Sequence, residues 1–205
     1  MQTPLLKQRP QLPGAATAGQ SIPIHPSIAT SAIVVVKSKA EATMALSALM
    51  TSDAIGFDTE SKPTFRKGEV STGPHLIQLS TDEKAYLFQT AYPGNLKLIK
   101  QILESAVLKI GFGLEADHLL LKEKLDVTLK NVLDLGEELK QSPKEGPVGI
   151  KTAVTRFFGH RFLKSKKIST SNWASKHLTE PQLRYAANDA YIALQVYRAW
   201  RNKLN

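Results

Sequence analysis

Ala54-Ile55-Gly56-Phe57-Asp58-Thr59-Glu60 begins as an apolar run and ends on two carboxylates separated by a single residue. Side chains of a strand alternate between faces, so residues 58 and 60 project from the same side of the strand this run forms. Like charges so close raise each other's pKa and weaken a sheet unless a cation lies between them. No lysine or arginine occurs inside the run. A hard divalent cation held by oxygen ligands is the natural counterion. The pair is a cost that folding alone does not explain, and function is to be sought around it.

The flanking sequence supplies the rest of a fold. Residues 33–36 read as a first strand, and residues 40–50 as a helix, with Ala42, Ala45, Leu46 and Leu49 at helical spacing. A polar loop with Gly and Pro follows over 61–74. Residues 75–80 and 85–88 predict a strand pair turning at 81–84. A helix is expected over 96–103, a strand over 108–112, a helix over 114–122, and a strand leading into a helix over 132–139. Pro143, Gly146 and Pro147 mark residues 140–149 as a linker. Helices return at 150–158 and from Glu180 onward, the last introduced by Thr179-Glu180-Pro181-Gln182 as cap and early proline. Strands first, then helix and strand alternating, predict an α/β fold with a mixed sheet flanked by helices. The chain carries no internal repeat or heptad array.

A chain of 205 residues makes one domain with a sizeable core, and two full domains are not expected. A hydrophobic content of 42% with 22% charged residues places it among soluble globular proteins. The absence of cysteine excludes disulfides, thiolate zinc sites and a cysteine nucleophile, and suits a reducing compartment. Apolar stretches such as 32–36 are far too short for a bilayer core of about 30 Å, so no membrane partner is expected. Pro4, Pro10, Pro13, Pro23 and Pro26 break any regular element over residues 1–30, which read as a disordered tail before a domain at 31–205. The tail lacks the apolar core of a secretory signal, which points to an intracellular protein, cytoplasmic or nuclear. Lys7 and Arg9, with no acid before Glu41, leave organelle import open. A net charge of +9 suits a polyanionic partner, most often nucleic acid.

Two further acids lie in apolar surroundings. Asp117 sits in Gly113-Leu114-Glu115-Ala116-Asp117-His118, and Asp189 in Tyr185-Ala186-Ala187-Asn188-Asp189-Ala190-Tyr191. Four residues separate Tyr185 from Asp189, so on a helix they share a face. Ala186, Ala187, Ala190 and Ala193 around Asp189 suit close packing, and a carboxylate beside such a surface needs a partner.

Asp-x-Glu, then Asp, then Tyr-x-x-x-Asp resembles the DEDDy group of DnaQ-like 3′-5′ exonucleases, and within it the Werner-syndrome-type exonuclease domains. The likeness spans about residues 32–200. It also includes Lys62-Pro63, Leu76-Ile77-Gln78-Leu79, Lys109-Ile110-Gly111, Ser171-Asn172-Trp173 and Leu178-Thr179-Glu180. A related group carries histidine five residues before the last aspartate; Arg184 stands there, so the tyrosine group is favoured. The resemblance implies a ribonuclease-H-like fold and a metal-dependent 3′-5′ exonuclease, DNA favoured, that releases nucleoside 5′-monophosphates. It implies that Asp58 bridges two Mg²⁺ or Mn²⁺ ions and that Glu60 and Asp189 complete the site of the water-activating metal. Asp117 would then support the second metal, and Tyr185 would orient the attacking water. Independently of any family, two cations about 3.5–4 Å apart stabilise both oxygens of an in-line displacement.

Residues 150–179 hold seven basic residues and no Asp or Glu, with Phe157, Phe158, Phe162 and Trp173 interleaved. Cations engage phosphates and rings stack on unpaired bases, which suits a strand fed into an active site. Lys164, Lys166 and Lys167 are the expected phosphate contacts, whereas Phe157 and Phe158 read as core and Trp173 as a packing anchor. Lys62, Phe65 and Arg66, in the loop after the first motif, are expected to touch the 3′-terminal nucleotide. His118 is expected outside the ligand set, and Glu115, Glu123 and Asp126 to be solvated. The expected partner is single-stranded or 3′-end-bearing nucleic acid, and a helicase or repair partner would be a separate protein unless the sequence is a fragment of a larger one. Alternatives are a non-catalytic nucleic-acid-binding module, an RNA-processing exonuclease of ribonuclease-D type, and a nucleotide-specific hydrolase.

Overall fold

The computed structural model describes residues 21–204. Its sheet comprises β1 (Ile33–Val35), β2 (Ala54–Glu60), β3 (Leu76–Ser80), β4 (Ala85–Gln89), β5 (Leu108–Gly111) and β6 (Val132–Asp134). The helices are α1 (Lys39–Met50), α2 (Asn95–Leu103), α3 (Glu115–Leu125), α4 (Leu135–Glu138), α5 (Ile150–Phe158), α6 (Lys166–Ser169) and α7 (Glu180–Leu204). The strands lie in the order β1-β4-β3-β2-β5-β6. β3 runs antiparallel to β2 and β4, and the remaining pairings are parallel. The mixed α/β sheet anticipated from the sequence is the observed one.

Period-two alternation along β2 divides the interior into two layers. Ile55 and Phe57 enter a core with Ala45 and Leu49 of α1, Ile99, Ile102 and Leu103 of α2, and Leu121 of α3. Ala54 belongs to the opposite layer, with Ala153 and Val154 of α5 and Ile192 and Val196 of α7. Gly56 and Asp58 share that second face, beneath α7. A Cβ on Gly56 would lie 1.9 Å from the carbonyl oxygen of Ala190, so only glycine lets α7 sit this low on β2.

Local signals fix the helix starts. Ser38 and Glu41 form a capping box at α1, satisfying two of its orphan N–H groups. At α7 the Thr179 N–H donates to Gln182 Oε1 at 3.0 Å, and the Gln182 N–H donates back to Thr179 Oγ1 at 3.4 Å. The short α6 was not foreseen: four residues are too few to show periodicity, and it is nucleated by Ser165, whose side chain accepts from the Ile168 N–H. Between α4 and α5 the chain makes an exposed turn, in which Glu145 Oε2 accepts from the Gln141 N–H at 2.6 Å.

The tail expected over 1–30 lies outside the described residues as far as residue 20. Within residues 21–30 the chain is anchored to the domain through the buried His25 and Ile28. Ile24 bridges to Arg161, and the Ile28 N–H donates to Asn188 Oδ1 at 2.9 Å with its side chain buried. Prolines 23 and 26 forbid a regular element there, but an extended chain still docks. Among the described residues no helix is long and apolar enough to cross a membrane.

Candidate active site

The site opens where β2 outruns one of its neighbours. Its ladder with β5 ends at Gly56 opposite Ile110, while its ladder with β3 continues to Glu60 opposite Leu76. Asp58 and Glu60 therefore stand at a fork between strands, at the carboxyl ends of β2 and β5, where open α/β sheets place ligands. The alternation predicted for the pair is the one that puts them under α7.

Asp117 reaches the fork from the first turn of α3. Thr59 Oγ1 donates to Asp117 Oδ1 in a short hydrogen bond that joins β2 to the helix start. Peptide dipoles favour negative charge at that end of a helix. The turn before α3 is set by Asp134, at the end of β6. Its carboxylate accepts from the N–H groups of Gly113 at 3.1 Å, Leu114 at 2.8 Å and Gly136 at 2.8 Å. Gly113 has φ +70°, the left-handed region that glycine enters without strain.

Asp189 descends from α7, one residue before the Ala190 carbonyl that rests on Gly56. Carboxylate oxygens of Asp58, Glu60 and Asp189 lie within 4.8 Å of one another. Tyr185, one turn earlier, packs against Trp173 with ring centroids 6.0 Å apart. Trp173 is fully buried and its Nε1 donates to the Ser169 carbonyl at 3.0 Å, so it anchors α6 to α7 and offers no free face to a base.

Electrostatics make the cluster unstable without added positive charge. Burial, with Asp58 and Asp189 adding repulsion, pushes the Glu60 carboxyl up to about 9. Burial and the Asp189 charge raise Asp58, burial and the Asp58 charge raise Asp117, and burial raises Asp189 against the pull of Lys164. Lys164 Nζ lies 2.8 Å from Asp189 Oδ2. Burial works against the lysine's charge, yet Asp189 and Asp58 hold its pKa above the ordinary value. The Lys164 ammonium thus acts on Asp58, Glu60 and Asp189 at once. Three carboxylates converging within 4.8 Å are an oxygen donor set that fits a hard divalent cation.

The remaining sequence candidates separate from this centre. Lys166 and Lys167 are exposed on α6. Phe65, 78% exposed, sits in a turn where the N–H groups of residues 65 and 66 donate to Glu69 Oε2 at 2.9 and 3.1 Å. Lys62 is tied to the head of β3 through its N–H, which donates to His75 Nδ1 at 3.1 Å. His118 is exposed on α3. Glu115 is exposed too, and Glu123 pairs with Lys124 at 2.9 Å. Asp126 is less idle than expected: it pairs with Lys122 at 2.8 Å and Lys100 at 3.1 Å where α3 ends.

Two participants escaped the sequence reading. Asp134 binds main-chain groups some twenty positions away, a link no local pattern reveals. Gln78 is fully buried opposite Asp58, and its amide has no partner among the described residues. A polar residue inside Leu76-Ile77-Gln78-Leu79 was its one visible signal.

A family model described as 3′-5′ exonuclease matches residues 33–205. The bifunctional 3′-5′ exonuclease/ATP-dependent helicase WRN of Mus musculus is 33% identical over 160 residues, covering 75% of this chain. The chain spans only 11% of that longer protein. The Nibbler EXO domain of Aedes aegypti superposes with a TM-score of 0.71 at 25% identity, over 86% of this chain and 90% of that one. Escherichia coli RNase D, an exoribonuclease involved in structured RNA processing, superposes with a TM-score of 0.69 at 20% identity, over 83% of this chain and 44% of that one.

Proposed function

Because the chain belongs to the 3′-5′ exonuclease family, we propose that it hydrolyses the terminal phosphodiester bond at the 3′ end of a nucleic-acid strand, DNA favoured, releasing nucleoside 5′-monophosphates. The convergence of Asp58, Glu60 and Asp189 within 4.8 Å carries this reading, since folding gains nothing from such repulsion. Asp58 and Glu60 from β2, Asp189 from α7 and Asp117 from α3 are the groups that would hold two divalent cations, Mg²⁺ or Mn²⁺. When bound, such a pair of cations supplies an acidified water and neutralises charge on the attacking and leaving oxygens. Tyr185 stands one helical turn from Asp189 and positions the attacking water with its hydroxyl. Lys164, Lys166 and Lys167 meet the phosphates of the incoming strand. Lys62, Phe65 and Arg66, on the loop beyond Glu60, meet its terminal nucleotide.

The preference for DNA rests on the resemblance of the sequence motifs to the Werner-syndrome-type exonuclease domains. A helicase that works with this domain is proposed because the WRN relative's name joins the two activities.

A 3′-labelled strand incubated with Mg²⁺ or Mn²⁺ is expected to lose its label with wild-type protein and to keep it with Asp58→Ala. Equal behaviour of the two would overturn the reading and leave a nucleic-acid-binding module, recognised by salt-sensitive binding without cleavage. The likeness to RNase D favours a second reading, RNA as substrate. Faster turnover of the RNA member of a matched DNA and RNA pair would select it.

A further inference from the structure

Lys164 reaches the acid cluster from the segment between α5 and α6. Its Nζ bonds Asp189 Oδ2 at 2.8 Å and lies 5.2 Å from the ring centroid of Tyr185. The Asp189 side chain is 2% exposed and that of Lys164 26% exposed, so the carboxylate is sealed while the lysine keeps a path to solvent. The oxygens of Asp189 lie within the same 4.8 Å cluster that a divalent cation would use. One ammonium and one divalent cation therefore compete for the same carboxylate. An ammonium on a flexible four-carbon stem, with three rotatable donors, can leave without backbone movement.

We propose that Lys164 is a displaceable counter-cation, which holds Asp189 in the metal-free protein, yields it to a divalent cation and passes to a phosphate of the bound strand. The last step rests on the exonuclease reading above; the competition for Asp189 does not. A strand that draws Lys164 away frees a metal ligand, so strand and metal tighten each other's binding, and the coupling is reciprocal. The exonuclease would then load its metal most fully when substrate is present. Replacing a lone exposed lysine would change strand affinity alone; replacing this one changes metal affinity.

The test is calorimetric titration of Mn²⁺ into wild-type protein and Lys164→Met, each alone and with a short oligonucleotide ending in phosphorothioate linkages that resist hydrolysis. Lys164→Met is expected to bind Mn²⁺ about tenfold tighter or more than wild type. The oligonucleotide is expected to tighten Mn²⁺ binding by wild type more than by the variant, since phosphate oxygens reach the metal in both but only wild type also gains the release of Asp189; an equal gain in both would overturn the proposal. In EDTA the variant should melt below wild type, because Asp189 loses its partner, and Mn²⁺ should close that gap. Lys164→Gln is the neutral comparison if the Met variant does not fold, and Lys164→Arg should bind Mn²⁺ no tighter than wild type. Equal Mn²⁺ affinity in wild type and the neutral variants, or a wild-type affinity indifferent to the oligonucleotide, would overturn the proposal. Failure of wild type to bind Mn²⁺ at all would count against the metal-dependent exonuclease reading itself.

Discussion

Asn in place of Asp58 removes one of four carboxylates that burial raises above their ordinary pKa, with neighbouring negative charge adding to it at Asp58, Glu60 and Asp117. Asp58→Asn is therefore expected to gain about 1 kcal/mol or more in metal-free melting, while hydrolysis of a 3′-labelled strand falls at least about a hundredfold. A drop in both would show that Asp58 is a structural group. Tyr185→Phe separates ring from hydroxyl. The ring still packs on Trp173, so stability should hold while kcat falls about a hundredfold. These residues were legible in the sequence because their relations are local: Asp58 and Glu60 through period two, Tyr185 and Asp189 through one helical turn. Asp134 and Gln78 were not, because Asp134 binds the turn before α3 and Gln78 lies opposite Asp58 on the neighbouring strand. Lys164 stood out as basic, but only the fold shows it facing Asp189 as well as solvent.

Helix α7 and strand β2 meet at a point with no slack. A methyl group on residue 56 would lie 1.9 Å from the Ala190 carbonyl oxygen and 2.5 Å from Ser80 Oγ. The first neighbour is main chain and cannot rotate away, so Gly56→Ala must lift α7 and carry Asp189 out of the cluster. Denaturant unfolding should show a loss of about 3 kcal/mol, with Mn²⁺ affinity reduced alongside. The segment over 21–28 offers a test at a second junction. His25 Nε2 lies 3.1 Å from Gln195 Oε1, and its Nδ1 lies 3.2 Å from His160 Nδ1. Burial, with His160 adding to it, lowers the pKa of His25 below 6.5. The unfolded chain then binds the proton more readily than the folded one. The stability His25 contributes is complete above pH 6.5 and is lost as pH falls through the folded value. Protection of the amides over 21–28 against hydrogen exchange, relative to the unfolded chain at the same pH, should fall below pH 6 in wild type, and His25→Gln should flatten that dependence. The sequence reading took this segment for tail because prolines rule out helix and sheet, yet they do not rule out docking. Helical spacing, by contrast, located α1 to within a residue, and the capping signal at Thr179 located the start of α7.

Across the whole molecule, α7 works as a beam fixed at both ends. Near its start lie Tyr185 and Asp189. Toward its end, Arg198 grips Asp53 through two bonds of 2.6 Å and Asp82 at 2.9 and 3.2 Å, linking the turns before β2 and between β3 and β4. The charge of +9 suits a polyanionic partner, but the division of labour along the chain became visible only with the fold. The exposed turn between α4 and α5 gives that division a practical meaning. Everything before it carries Asp58, Glu60 and Asp117; everything after it carries Lys164, Tyr185 and Asp189. Contacts such as the 2.8 Å bond from the Val148 N–H to the Gly136 carbonyl rejoin the halves. A chain cut between Pro143 and Lys144 should yield two pieces, each inert toward 3′ ends. Mixing them should restore hydrolysis with a rate that climbs as their concentrations rise. Fused to two other proteins, the pieces would report whether those proteins meet, with nucleotide release as the signal of complementation.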